Sequence, residues 1–251
     1  MNKTILIAGK EVPAGKDLAS SAVLHGRTVF ITAESDATDT GLADGSNPVA
    51  WNKGSALSSR SLLISASNKN GHFDEAVLIF DEEYFAPKFG VPGPAESTRA
   101  CDELILGYQY LTAELLLRFN QRKIAGLEKN PGKIVFVYKP NVNEADAVKN
   151  PNLRLENRIL SKTLVASASA AFKAFAENFA ASVCEADDVI PILVECDSSN
   201  ELSKNDSAFM AWLCEYLSKI DDLKKELSAK QRVSWIKAGA KVPGGFGIFK
   251  K

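Results

Sequence analysis

The chain is poor in the side chains that usually carry metal or nucleophile chemistry. Its only histidines are His25 and His72, and its four cysteines, Cys101, Cys184, Cys196 and Cys214, lie far apart. No pair has metal-ligand spacing, so neither a metal site nor a His-based triad is expected. The cysteines fall in helical stretches or at the end of a strand and read as packed thiols. What remains is charge: Lys10, Lys16 and Lys139 are the basic residues placed where an anion could bind.

These residues have to be positioned by the elements around them. Thr4 to Ala8 is a short apolar run of the kind that forms a buried parallel strand. Gly9 to Gly15 reads as a turn, Lys16 to Leu24 as a helix stopped by Gly26, and Thr28 to Thr32 as the second strand. Further strands are expected at Pro48–Trp51, Ala76–Phe80, Lys133–Tyr138 and Val189–Val194, with an edge strand at Phe246–Phe249. Helices are expected over Ser58–Asn68, Glu96–Asn120, Arg158–Ala186, Ser207–Ile220 and Asp222–Lys237. Tyr84 to Pro94 and Lys139 to Asn152 read as loops. Alternation of this kind predicts one α/β domain spanning residues 1–251. The fold class is a Rossmann-like doubly wound parallel sheet of about seven strands, with helices on both faces. In such sheets ligands bind beyond the carboxyl ends of the strands, here near Gly9–Gly15 and Phe80–Glu83.

The order and spacing of these elements resemble the short-chain dehydrogenase/reductase family, in particular its 3-oxoacyl carrier-protein reductases. The resemblance spans nearly the whole chain and rests on layout more than on motif identity. The family's Thr-Gly-x-x-x-Gly-x-Gly turn corresponds to Ala8-Gly9-Lys10-Glu11-Val12-Pro13-Ala14-Gly15. Gly9 and Gly15 match, and Pro13 replaces the middle glycine, removing an N–H and adding a ring. Gly9, Lys10, Gly15 and Glu34 are the candidate cofactor-binding residues; Glu34 stands where an acid can hold the ribose of NAD, or is a solvated loop acid. Asp74 and Val77 fit the family's fourth strand, but Leu78-Ile79-Phe80-Asp81 replaces Asn-Asn-Ala-Gly, and Asp81-Glu82-Glu83 puts negative charge where a dinucleotide would bring more, which is repulsive; the alternative reading is a solvated acidic turn.

The four catalytic positions are all changed. Tyr138-Lys139 takes the serine places, Val165 the tyrosine, Ser169 the lysine, and Leu104 the asparagine. Val165 has no proton to give, and general acid catalysis alone is worth about 10²–10⁴-fold in rate. Tyr138 and Lys139 are the candidate catalytic replacements, although neighbours on a strand point to opposite faces, so only one can face a cleft. Tyr84-x-x-x-Lys88 matches the family's Tyr-x-x-x-Lys pattern, but Pro87 lies within it, so it reads as a chance match in a loop. Ser161, Lys162 and Lys173 read as surface residues of a long helix.

Three functions follow. The first is a non-catalytic homologue acting through binding or assembly, without a cofactor. The second is an NAD(P)-dependent carbonyl reductase with altered residues. The third is a binder of another small ligand or anion through Lys10, Lys16 or Lys139. The two long helices resemble those that family members pair across a two-fold axis. The second carries Ala166, Ala168, Ala170, Ala171 and Ala174, so a homo-oligomer (dimer or tetramer), or a hetero-oligomer with an active relative, is expected. A net charge of −1 argues against nucleic acid and anionic membrane partners. No apolar run reaches the ~20 residues of a membrane span, and a cytoplasmic location is the expectation.

Overall fold

The computed structural model describes residues 3–33, 42, 45–90, 92–124, 131–154, 159–223 and 226–243. Seven parallel strands form one sheet in the order β3-β2-β1-β4-β5-β6-β7. They are β1 (Lys3–Val12), β2 (Arg27–Ala33), β3 (Ser46–Ala50), β4 (Glu75–Asp81), β5 (Gly132–Lys139), β6 (Val189–Glu195) and β7 (Trp235–Lys237). β4 and β5 are buried along their whole length, as strands covered on both faces must be.

The helices divide between the two faces. Helices α1 (Lys16–Leu24) and α8 (Asp206–Asp221) cover one, around Ile7, Val29, Val77, Val135, Phe209 and Leu213. Helices α2 (Ala56–Asn70), α5 (Gly107–Ile124) and α7 (Thr163–Val183) cover the other, around Phe30, Leu78, Phe80, Phe136, Leu111 and Phe172. The described residues also form the short α-helices α3 (Glu82–Phe85), α4 (Pro94–Cys101), α6 (Glu144–Lys149) and α9 (Ala229–Arg232). α4 runs into α5 through a π-helical segment, Asp102–Leu106. The expected doubly wound architecture is therefore observed.

Several boundaries differ from the sequence reading. β1 does not end at Ala8 but continues to Val12, with a register shift between Ile7 and Val12. Gly9, at φ +106°, lets the strand bend rather than opening a turn; the turn itself is only Pro13–Gly15. Tyr84 lies in α3 rather than in a loop, and the polar segment after β5 contains α6. The stretch Asp222–Lys237 is not one continuous helix: among its described residues it holds α9 and then gives way to β7, which pairs with Leu193–Glu195. The seventh strand is thus Trp235–Lys237, and Phe246–Phe249 lies outside the described residues.

Candidate functional site

The carboxyl ends of β1, β4 and β5 bring Lys10, Asp81 and Lys139 together, and the first turn of α8 adds Asp206. The four charges alternate. Lys10 Nζ lies 3.0 Å from Asp81 Oδ2 and 2.7 Å from Asp206 Oδ2. Lys139 Nζ lies 3.4 Å from Asp81 Oδ2 and 2.9 Å from Asp206 Oδ1. Asp81 also accepts the Tyr84 backbone N–H, capping α3. Burial alone would raise the Asp81 pKa, but Lys139 and Lys10 outweigh it and hold the carboxyl below the usual aspartate value. Burial works the other way on Lys10, yet Asp81 and Asp206 raise its pKa above the usual lysine value. The alternation therefore favours the charged forms of Asp81 and Lys10. It forms the floor of a polar cleft of about 600 Å³ that Asp17, Tyr84, Lys204 and Asn205 also line.

Tyr138 points away from this cleft, as strand alternation requires. It is buried on the α7 face, donates to Glu82 Oε1 at 2.7 Å, and its ring lies 4.7 Å from Lys173 Nζ. Burial, followed by the hydrogen bond to Glu82, pushes its pKa well up. A phenol held this firmly to a buried carboxylate is a poor proton donor to anything else. Around it the α7 face is filled by rings: Phe80 meets Phe85 and Phe172 at centroid distances of 5.2 Å, and Tyr108 meets Phe172 at 5.0 Å. Val165 and Leu104 are fully buried there and Ser169 nearly so.

The turn before α1 is closed by its own backbone. Gly15 N donates to Glu11 O at 2.9 Å and Lys16 N to Pro13 O at 3.2 Å, Pro13 has no N–H, and Asp17 sits in the first turn of the helix. Both glycines are required locally. A Cβ on Gly9 would lie 2.0 Å from Ile79 O and 2.6 Å from the Tyr108 hydroxyl, and one on Gly15 2.3 Å from Lys10 O.

Of the sequence candidates, the structure thus brings Lys10 and Lys139 together, separates Tyr138 from them, and leaves Lys16 exposed outside the quartet. Gly9 and Gly15 shape β1 and the turn. Glu34 lies outside the described residues. The acidic run is not a solvated turn: Asp81 and Glu82 are buried and only Glu83 is exposed. Ser161 is buried too, and its backbone bridges to Asn143. Tyr84 and Lys88 do meet, with Lys88 Nζ donating to the Tyr84 hydroxyl at 2.7 Å. That hydroxyl in turn lies 3.4 Å from Glu11 Oε2, which also pairs with Lys53 at 3.2 Å. Sequence reasoning missed Asp206 and Glu11. Asp206 had a readable signal, Asn-Asp ahead of an apolar helical run; Glu11, inside an extended strand, had none.

Cys196 and Cys214 are buried, and burial pushes their thiols up to about 11 and about 12, while Cys101 is exposed rather than packed. Among the described residues no group of His, Cys, Asp and Glu could hold a metal ion, and no helix is long and apolar enough to cross a membrane.

No protein-family model matches the chain, and no curated protein matches it in sequence. Solved structures do match it in fold. A short-chain dehydrogenase from Mycobacterium smegmatis superposes with a TM-score of 0.60 at 16% identity, covering 96% of this chain and 93% of that one. The 3-ketoacyl-(acyl-carrier-protein) reductase from Brucella melitensis, complexed with NADH, gives 0.58 at 15% identity, covering 96% and 98%. A short-chain dehydrogenase from Leptospira borgpetersenii with bound NAD+ gives 0.56 at 14% identity, covering 93% and 83%. The chain has the fold of these proteins.

Proposed function

We propose that the chain is a non-catalytic relative of the short-chain dehydrogenases that acts by binding or assembly, and that the ion quartet at its strand tips stands in place of a dinucleotide. The quartet carries this reading. Lys10 and Lys139, the two cations of the quartet, are each spent on two carboxylates. A pyrophosphate would have to displace Asp81 or Asp206 and leave one of them buried without its cations, which costs about 3–5 kcal/mol. The α1 turn adds to this, because the Gly15 and Lys16 N–H groups bond within it and Asp17 puts a carboxylate in the first turn of the helix, where phosphate is disfavoured. The groups present therefore do not fit NAD(P). At the aligned positions the family's proton donor is not kept: Val165 has no acidic proton, and Tyr138 is committed to Glu82.

Titration of the full chain into NADH and NADPH, read by nicotinamide fluorescence, tests the reading. No saturable change is expected. Saturable binding at micromolar cofactor would favour a carbonyl reductase with altered site residues, a reading supported by the NADH and NAD+ held by two of the fold's relatives. Turnover of a ketone lost on changing Lys139 would establish it. The assembly half of the proposal is a homo-oligomer, or a hetero-oligomer with an active relative, formed through α5 and α7.

A further inference from the structure

A cleft of about 430 Å³ lies away from the strand tips, between α8 and the chain that follows β7. Asp206 begins α8 at the tips, and the helix runs from there toward the amino ends of the strands, where Asp221 meets Lys133. One wall of the cleft is Trp212 and Tyr216 of the helix, with Leu223 just beyond its end. Tyr216 stands about 15 Å along the helix axis from Asp206. The opposite wall comes from the return of the chain. Gly239, at φ +88°, turns it after β7, and Ala240 and Val242 then lie against the helix.

The aromatic wall is held in place. Trp212 Nε1 donates to Ala240 O at 3.1 Å, and the indole lies 5.9 Å from the Phe209 ring and 5.5 Å from the Tyr216 ring. Tyr216 is only 4% exposed. Its hydroxyl has no hydrogen-bond partner among the described residues, yet it is not sealed off: it reaches the accessible surface, which at this position is the cleft. Burial alone pushes the phenol's pKa up, with no charge or hydrogen bond contributing, so it keeps its proton at neutral pH. A polar group on so buried a residue is normally paired. The charges stand at the rim, on the exposed Lys219, Asp222 and Lys241. Lys219 meets Glu215 at 3.4 Å, and Lys241 and Asp222 are opposite in sign, so the rim favours neither an anion nor a cation. Apolar and aromatic walls with a fixed polar group between them, in a cleft of this size, are the usual make-up of a small-molecule site.

We infer that this cleft binds a small uncharged aromatic molecule, its ring packed on Trp212, Leu223 and Val242 and its one polar group hydrogen-bonded to the Tyr216 hydroxyl. Such a ligand sits off the strand tips and touches no member of the quartet. Isothermal titration calorimetry of the full chain with 2-naphthol tests it, with 2-naphthoate as the charged counterpart. Saturable binding of 2-naphthol, tighter than that of 2-naphthoate, is expected, and excess NADH should not displace it. Tyr216→Phe keeps the ring and removes only a hydroxyl that no described residue uses. It should leave the thermal unfolding midpoint unchanged and weaken 2-naphthol about fivefold, the worth of one neutral hydrogen bond. Leu223→Asp, at a half-buried position, puts a carboxylate against the ring and should abolish binding. No saturable binding of 2-naphthol, wild-type affinity in Tyr216→Phe, or tighter binding of 2-naphthoate overturns the inference. So does displacement by NADH, which would move the ligand to the strand tips. A chain that self-associates, and that Leu223→Asp makes monomeric while 2-naphthol does not, gives the cleft to a second copy and overturns it as well.

Discussion

Gly9 shows how a motif residue can be kept for a reason other than the motif's ligand. Its φ of +106° and the 2.0 Å approach to Ile79 O leave no room for a side chain. Gly9→Ala should therefore destabilise the fold by more than about 2 kcal/mol in urea unfolding, whether or not any ligand is present. Asp81 gives a sharper test, because two lysines share its carboxylate. Asp81→Asn leaves both lysines short of charge and should cost about 3 kcal/mol near neutral pH. Its folded pKa lies below the unfolded one, so its contribution is present above about pH 3.9 and is lost as pH falls through the folded value. The deficit of the variant should accordingly shrink as pH falls below the unfolded value of about 3.9. Lys10 has the opposite sign: its raised folded pKa makes its contribution full below about pH 10.4 and lost as pH rises beyond the folded value. Unfolding free energies of wild type and Asp81→Asn across that range check both limbs. At this scale the sequence is legible for Lys10 and Lys139, which lie beside the strand ends. It misleads for Asp81 and Glu82, because a run of three acids looks solvated unless the partners from α8 and β5 are known.

The same charges explain how α8 is set on the sheet. On β5, Lys133 and Lys139 are six residues apart and so share a face; Glu75 and Asp81 do the same on β4. Lys139 meets Asp206 at the start of α8, and Lys133 meets Asp221 at its end, at 2.5 Å. Lys3 also pairs with Asp221, and Arg27 reaches both Glu75 and the Cys214 carbonyl of α8. The helix, 16 residues long, spans about 24 Å, and the 8-residue strand about 26 Å. The two lengths match, so one ion cluster closes each end of the helix against the strand beneath it. Asp206→Asn and Asp221→Asn should each cost about 3 kcal/mol, and the double variant about the sum, because the clusters sit at opposite ends of the helix and share no partner. A clear departure from additivity in urea unfolding would mean that the helix detaches as a unit. The apolar runs make β2, β4, β5 and β6 readable. β1 reads short because Lys10 and Glu11 break its apolar pattern, although both find partners across the strand tips. β7 is hidden because Trp235-Ile236-Lys237 has no strand signature of its own. It becomes a strand only by pairing with β6.

For the molecule as a whole, one face of the sheet is closed by clamped helices and the other carries the surface proposed for assembly. On α7, Val165, Ala168, Phe172, Ala176 and Ala180 turn inward. Ala170 and Ala174 are exposed, with Ala166 and Ala171 half-buried, so the outward stripe has small side chains four residues apart. Leu117, on the neighbouring α5, is 49% exposed. Small residues cost little entropy to cover and let a second helix come close, whereas a carboxylate there would be desolvated and unpaired in any such pairing. The proposed two-fold assembly through α5 and α7 therefore predicts that Ala174→Glu, at an exposed position, lowers the mass measured by light scattering. The unfolding free energy extrapolated to low protein concentration should stay unchanged. Lys173, next to it, is committed to Glu195 at 3.2 Å and to the Tyr138 and Trp235 rings, so the alanine stripe is the part of the helix left for a partner. A wild-type chain that is monomeric at micromolar concentration removes the homo-oligomer and leaves assembly to a different chain. In that case the same Ala174→Glu change should abolish capture of a catalytically complete relative added in equimolar amount.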